Sequence, residues 1–278
     1  MSRRHVLVTG GSMGIGLAVS RALAERGARL TLVARGAEAL RSAAAELPGD
    51  GHRTYALDVA DERAWSACAE QLGELYGLVC AAAVLGPIGP IGEYAPADFR
   101  RTIEVNLLGT LLAIHHCLPA LRASRGAIVT FGGGGATAPL PRYDAYASSK
   151  AAVVRLSENL AGELSEEGVR INCVAPGFVA TRMHERTLAA GPQAAGADYF
   201  ERTQRELESG GVPVDEAAEL VCALLGSERE VPFTGKLISA QWDRWRDPGY
   251  RARLAERKDL ATLRRIDEMA FTRIEPTA

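Results

Sequence analysis

Short apolar, β-branched runs alternate with longer amphipathic stretches along most of the chain. His5–Thr9 reads as a strand and Ile15–Arg26 as a helix, with Leu17, Ser20, Leu23 and Ala24 at helical spacing. Arg29–Ala34 predicts a second strand, and the helix through Leu40, Ala44 and Leu47 stops at Pro48-Gly49-Asp50-Gly51. Further strands are predicted at Arg53–Leu57, Leu78–Ala81, Ala127–Phe131, Arg170–Val174 and 236–239, with helices over 61–75, 97–123, 143–165 and 214–226. Strands separated by helices of ten or more residues are joined by right-handed crossovers. The pattern therefore predicts an α/β fold, a doubly wound parallel sheet in three layers.

Two segments depart from the alternation. Residues 182–213 form a polar helical insertion after a strand end, where open α/β sheets take up ligands. Residues 242–278 follow the last strand, so 1–241 is read as one domain and the rest as an extension. Mixed charges and a ragged stripe of Leu254, Leu260, Leu263, Ile266 and Met269 predict that this extension packs on its own subunit or on a neighbour.

Composition removes several classes of function. The 278 residues carry 32 basic and 34 acidic side chains, a net charge of −2, which gives no electrostatic case for nucleic acid or an anionic membrane. The uncharged stretch 75–92 is broken by Pro87, Pro90 and four glycines, so it does not read as a membrane span. Val6-Leu7-Val8 stops at Thr9-Gly10-Gly11, too early for a signal sequence. A cytoplasmic protein is the expectation. The five cysteines are scattered with no CxxC pair, which predicts reduced thiols. No other His or Cys is spaced to complete a ligand set with His115-His116, and no metal is expected.

The first strand runs directly into Thr9-Gly10-Gly11-Ser12-Met13-Gly14-Ile15-Gly16, and a helix opens there. A pyrophosphate at a helix N-terminus needs a tight turn, close backbone approach and unpaired N–H groups. Gly10, Gly14 and Gly16 meet those needs, Ile15 lies between them, and Ser12 adds a hydroxyl. The second strand ends in Ala34-Arg35, with no carboxylate to bind a ribose 2′-hydroxyl. A guanidinium there suits a 2′-phosphate, so NADP(H) is expected over NAD(H). Asp58 and Val59, after the third strand, are placed to reach the adenine edge.

Tyr146-Ala147-Ser148-Ser149-Lys150 puts a phenol and an ammonium on one helix face. A nearby cation favours the phenolate and brings proton exchange toward working pH. Lys150 is the first lysine in a chain that has only two others, Lys236 and Lys258. Together, TGxxxGIG at Thr9–Gly16, YxxxK at Tyr146–Lys150, Asn106 and Pro176-Gly177 with Thr181 resemble the short-chain dehydrogenase/reductase family over roughly residues 4 to 240. The resemblance implies a Rossmann-type domain, hydride transfer at nicotinamide C4, and a homodimer or homotetramer. It implies Tyr146 as acid/base, Lys150 holding the nicotinamide ribose, and Asn106 anchoring a relay water. Pro176, Val179 and Thr181 would line the carboxamide, and Ala82 would cover the cofactor.

Two departures from that pattern matter. Cys80-Ala81-Ala82-Ala83 replaces Asn-Asn-Ala-Gly, removing hydrogen bonds that brace the central strands. Phe131-Gly132-Gly133-Gly134-Gly135-Ala136-Thr137 offers no hydroxyl near Gly133, where the family carries its active-site serine. Three readings follow: Thr137, another hydroxyl or a water substitutes; a polyhydroxylated substrate brings its own hydroxyl; or the chain is a silent NADP(H)-binding regulator. An epimerase or dehydratase using the cofactor transiently is the alternative enzyme class. The charged insertion (Arg182, His184, Glu185, Arg186, Arg202, Arg205) and Trp242 and Trp245 suggest a polar carbonyl or alcohol substrate resembling an oxo-sugar or oxo-cyclitol. The competing role for both tryptophans is to anchor the extension.

Overall fold

The computed structural model describes residues 4–265. Seven strands pair in parallel throughout: β1 (His5–Thr9), β2 (Arg29–Ala34), β3 (Arg53–Ala56), β4 (Gly77–Cys80), β5 (Ala127–Phe131), β6 (Arg170–Ala175) and β7 (Leu237–Ser239). Their order is β3-β2-β1-β4-β5-β6-β7. The order reverses between β1 and β4, and the crevice beyond the C-terminal ends of these two strands is where open sheets bind ligands.

The central strands are buried on both faces, as their unbroken apolar runs require. One face is covered by α1 (Gly14–Glu25), α2 (Ala37–Ala45) and α9 (Val214–Leu224), which pack Val19, Leu23, Leu40 and Val221 on Val6, Val8 and Val129. The other is covered by α3 (Glu62–Leu72), α5 (Gly109–Ser124) and the end of α6 (Asp144–Leu164), through Trp65, Ile114, Leu121 and Leu164.

The helix expected over 97–123 is not continuous. It comprises α4 (Pro96–Ile103), a π-helical turn at Glu104–Leu108, and α5. The π turn adds a residue within an otherwise continuous run of helical chain, which a coarse reading of the apolar pattern takes as one helix. Gly109 sits at its end because a Cβ there would lie 2.7 Å from Val59 Cγ2. By length and composition Pro96–Ser124 resembles a membrane span, yet α5 packs Ala113, Ile114, Cys117 and Leu121 into the core.

The insertion is two helices, α7 (Arg182–Ala195, kinked at Gly191) and α8 (Ala197–Glu208). Beyond β7 the chain folds back on the core. Trp245 is buried and donates its indole N–H to the Ala240 carbonyl (3.2 Å), and Leu254 of α10 (Pro248–Glu256) is buried beside it. The expected stripe is not one helix: α10 ends at Glu256, and Leu260 and Leu263 pack from non-helical chain. Buried Lys236 explains the turn, donating to the carbonyls of Arg257 (2.6 Å), Leu260 (2.9 Å) and Lys258 (3.3 Å). Ile266 and Met269 lie outside the described residues.

Candidate active site

The loop after β1 is shaped by contacts that exclude side chains. Gly10 has φ +68°, and a Cβ on it would stand 2.9 Å from the Ala82 nitrogen. A Cβ on Gly16 would be 2.2 Å from the Gly10 carbonyl oxygen. The Ala82 N–H donates to the Thr9 hydroxyl (3.1 Å), a direct tie between the ends of β1 and β4 where the family's asparagines are missing.

Above this loop lies a cavity of about 760 Å³. Arg35, Asp58 and Val59 line one end, Ser12, Gly14, Ile15 and Ala82 the middle, and Leu85, Thr181 and Met183 the other. Its size suits a ligand-binding pocket. Gly14 (φ +55°) meets nothing closer than Thr181 Cγ2 at 3.8 Å, so the helix start faces open space. A dinucleotide pyrophosphate fits this cradle, with the unpaired N–H groups of α1 directed at it. Ala180, Thr181 and Arg182 line the cavity rather than Pro176 and Val179; Val179 is instead buried in a bridge to Gly211.

Arg35 is exposed at the cavity mouth and, among the described residues, pairs with no carboxylate at salt-bridge distance. Asp58 is placed as expected, but its carboxylate is already engaged, accepting from the Ala60 N–H (3.0 Å) and from the Arg101 guanidinium. Burial works to raise its pKa, yet those two donors outweigh it and hold the carboxyl below its usual range. No spacing rule links Arg101 to Asp58, and sequence reading missed it.

At the other end, α6 presents Tyr146, Ser149 and Lys150. Lys150 is buried and donates to the Phe131 carbonyl at the end of β5 (3.0 Å); burial lowers its pKa to about 8. Its ammonium is 5.8 Å from the Tyr146 ring centroid. Burial, and secondarily Tyr199, push the Tyr146 phenol upward. The ammonium is turned toward the Phe131 carbonyl, and desolvation is the larger influence on the phenol.

Asn106 sits in the π turn. Its Nδ2 donates to the Val84 carbonyl (2.9 Å) and to Ser149 Oγ (2.9 Å), and its Oδ1 accepts from the Val84 N–H (2.8 Å). Both amide hydrogens are committed, so its side chain ties the loop after β4 to α6. Ser149 in turn donates to the Tyr146 carbonyl (2.7 Å), a buried brace legible only as a small polar residue three positions after the tyrosine.

Gly133 stands directly against the phenol: a Cβ there would be 2.6 Å from the Tyr146 hydroxyl oxygen. Thr137 does not substitute for the missing serine, because it is exposed and its hydroxyl makes no hydrogen bond among the described residues. His184 packs its ring on Phe178 (3.8 Å between centroids), and burial lowers its pKa.

The charged insertion also reads differently in three dimensions. Arg182, Glu185 and Arg186 are exposed and line the cavity, and Arg202 and Arg205 are exposed, whereas the wall around Tyr146 is apolar and aromatic: Leu85, Ile88, Leu140, Tyr143, Met183, Tyr199 and Phe200. The insertion is seated by Tyr143 donating to Thr187 (3.1 Å), Arg186 to the Gly86 carbonyl (3.0 Å) and Arg142 to the Gln193 and Ala194 carbonyls. The tryptophans divide: Trp245 anchors the extension, and Trp242 is 79% exposed, with no place in this wall.

A parallel sheet reversing at a glycine-bounded crevice, with a tyrosine and lysine four residues apart at its inner end, defines a nucleotide-binding oxidoreductase of the Rossmann type. The family model for short chain dehydrogenases matches residues 4–190, and the chain belongs to that family. It is 37% identical over 183 residues to D-threitol dehydrogenase of Mycolicibacterium smegmatis, covering 64% of this chain and 70% of that one. To levodione reductase of Leifsonia aquatica it is 32% identical over 238 residues, covering 81% and 88%. A crystal structure of levodione reductase superimposes with a TM-score of 0.75 at 26% identity, over 86% of this chain and 96% of that one. The protein is accordingly an oxidoreductase of the carbonyl/alcohol type.

Proposed function

We propose that the protein is an NADP(H)-dependent reductase that converts a compact ketone to a secondary alcohol. The observation that carries this reading is the continuity of one cleft. Arg35 stands at its mouth, the glycine loop forms its floor, and Leu85 and Met183 join the cavity to the wall around Tyr146.

When bound, the nicotinamide supplies the hydride. Gly10, Gly14 and Gly16 admit the pyrophosphate, and Arg35 pairs with the 2′-phosphate. Lys150, with a compact ammonium of lowered pKa, holds the ribose hydroxyls while remaining bonded to the Phe131 carbonyl. Tyr146, kept protonated by burial, gives its proton to the carbonyl oxygen.

The apolar wall around Tyr146 favours an apolar ring at the reacting end, with Arg182, Glu185 and Arg186 lining the cavity beside it. An oxo-sugar hydroxyl set against Leu85 or Met183, which line the cavity, would cost about 1–3 kcal/mol if left unpaired. A ketone on an apolar ring fits better. Similarity to a protein named levodione reductase supports the reductive direction.

The test is NADPH consumption, with NADH in parallel, over cyclohexanone, 1,4-cyclohexanedione and an oxo-inositol. NADPH-dependent turnover of the cyclic ketones, lost in Tyr146→Phe, is expected. Turnover that survives Tyr146→Phe, or none with any ketone, overturns the reading.

A further inference from the structure

Reduction of a ketone places negative charge on the carbonyl oxygen, and a further preorganised hydrogen-bond donor aimed there is typically worth about 100- to 1,000-fold in rate. Position 133 has no side chain to help, so the second donor must come from elsewhere. We infer that the hydroxyl of Tyr199, carried on α8 of the insertion, is that second hydrogen-bond donor to the substrate carbonyl oxygen. This inference rests on the ketone-reductase reading above.

The hydroxyls around Tyr146 are few, and most are spent. Ser149 donates to the Tyr146 carbonyl and accepts from Asn106. Tyr143 donates to Thr187, which spends the Tyr143 proton, and the accepting Thr187 is buried. Thr137 is exposed. Tyr199 is different. Its ring meets the Tyr143 ring edge-on at 4.9 Å and 61°, and Tyr143 is the N-cap residue of α6, three residues before Tyr146. Tyr199 and Tyr146 belong to the same apolar cluster, and among the described residues the Tyr199 hydroxyl makes no hydrogen bond. Burial raises its pKa, which keeps it protonated and able to donate.

The chemistry balances without any further reactant. Hydride from NADPH forms the new C–H bond, the carbonyl π pair moves to oxygen, and Tyr146 transfers its proton there. Tyr199 donates a hydrogen bond throughout and keeps its own proton.

Because Tyr199 belongs to the insertion, the donor is in place only when α7 and α8 are seated by the Tyr143–Thr187, Arg142 and Arg186 contacts. Closure over the substrate and completion of the catalytic site are then one event.

The experiment compares wild type, Tyr199→Phe, Tyr199→His and Tyr146→Phe, with cyclohexanone and 1,4-cyclohexanedione as substrates. It reads kcat, KM, the NADPH dissociation constant and Tm. Tyr199→Phe keeps the ring and is expected to lower kcat about 100-fold, within the range for losing one oxyanion donor, with KM and NADPH binding unchanged. Tyr199→His, which keeps a ring N–H, is expected to lose less. A Tyr199→Phe kcat within twofold of wild type, beside an inactive Tyr146→Phe, overturns the role of Tyr199 and leaves the reductase standing. Equal losses in both Tyr199 variants, or losses confined to KM and NADPH binding, assign the residue to packing and also overturn it. An active Tyr146→Phe, or a wild type inert toward both ketones, removes the reductase reading itself.

Discussion

Restoring the family's serine should harm this enzyme. A Cβ at Gly133 would lie 2.6 Å from the Tyr146 hydroxyl oxygen and 3.3 Å from Cζ, whereas ordinary contacts begin near 3.4 Å. Gly133→Ser therefore intrudes by about 0.8 Å on the one atom whose position determines proton transfer. The backbone of α6 is braced by Ser149 on the Tyr146 carbonyl and by Asn106 on Ser149, so the ring tip or the glycine loop must yield. A displacement near 1 Å at a reacting group costs on the order of 100-fold in rate. Overpacking typically costs about 1–3 kcal/mol of stability, enough to detect by thermal melting. Motif analogy predicts the opposite sign, a gain of about 100-fold or more from one added oxyanion donor. The assay is kcat for NADPH-dependent reduction of cyclohexanone, with NADPH affinity measured alongside to show an intact cofactor site. A lower kcat at unchanged NADPH affinity is expected. A Gly133→Ser enzyme faster than wild type would refute the reasoning.

Arg35→Asp should reverse the cofactor preference in kcat/KM, since a carboxylate at the cavity mouth repels a 2′-phosphate and can accept from a ribose 2′-hydroxyl; unchanged NADPH selectivity would remove Arg35 from the account. Lys150, lowered from 10.5 to about 8 by burial, binds a proton less readily folded than unfolded. Stability should therefore rise with pH between about 8 and 10.5, and Lys150→Met should abolish that slope. Lys150→Met should also stabilise the inactive protein at pH 7 by on the order of 2 kcal/mol, checked by urea melts across pH. Lys236→Met leaves three carbonyls beyond α10 without their donor and should lower stability by about 2 kcal/mol or more, with earlier tryptic cleavage after Arg257.

What the sequence disclosed follows physical lines. Parallel strands buried on both faces are short apolar runs, and each predicted strand lies within about two residues of an observed one. The glycine loop and the Tyr146–Lys150 pair were legible because each is set by local spacing. The misreadings concern relations across the fold. The π turn and the partners of the Asn106 amide, Val84 and Ser149, are set by contacts between distant segments, so neither was legible from local spacing. Charges dominate the composition of the insertion, and composition does not say that Met183, Tyr199 and Phe200 pack around Tyr146 while Arg182, Glu185 and Arg186 line the cavity. Trp242 and Trp245 are three residues apart and chemically identical, yet one is solvent-exposed and the other packed in the core. The gap at Gly133 was visible as a missing serine, but its contact with the phenol required coordinates.

The central claim is that this cleft moves hydride from NADPH to a ketone, with Tyr146 supplying the proton. The most direct measurement is isotope transfer from NADPH deuterated at nicotinamide C4, both epimers in turn, to 1,4-cyclohexanedione. The account predicts one deuterium per turnover at the carbinol carbon from one epimer only, with none appearing in Tyr146→Phe. Product alcohol without deuterium from either epimer, or label transfer undiminished in Tyr146→Phe, would contradict it.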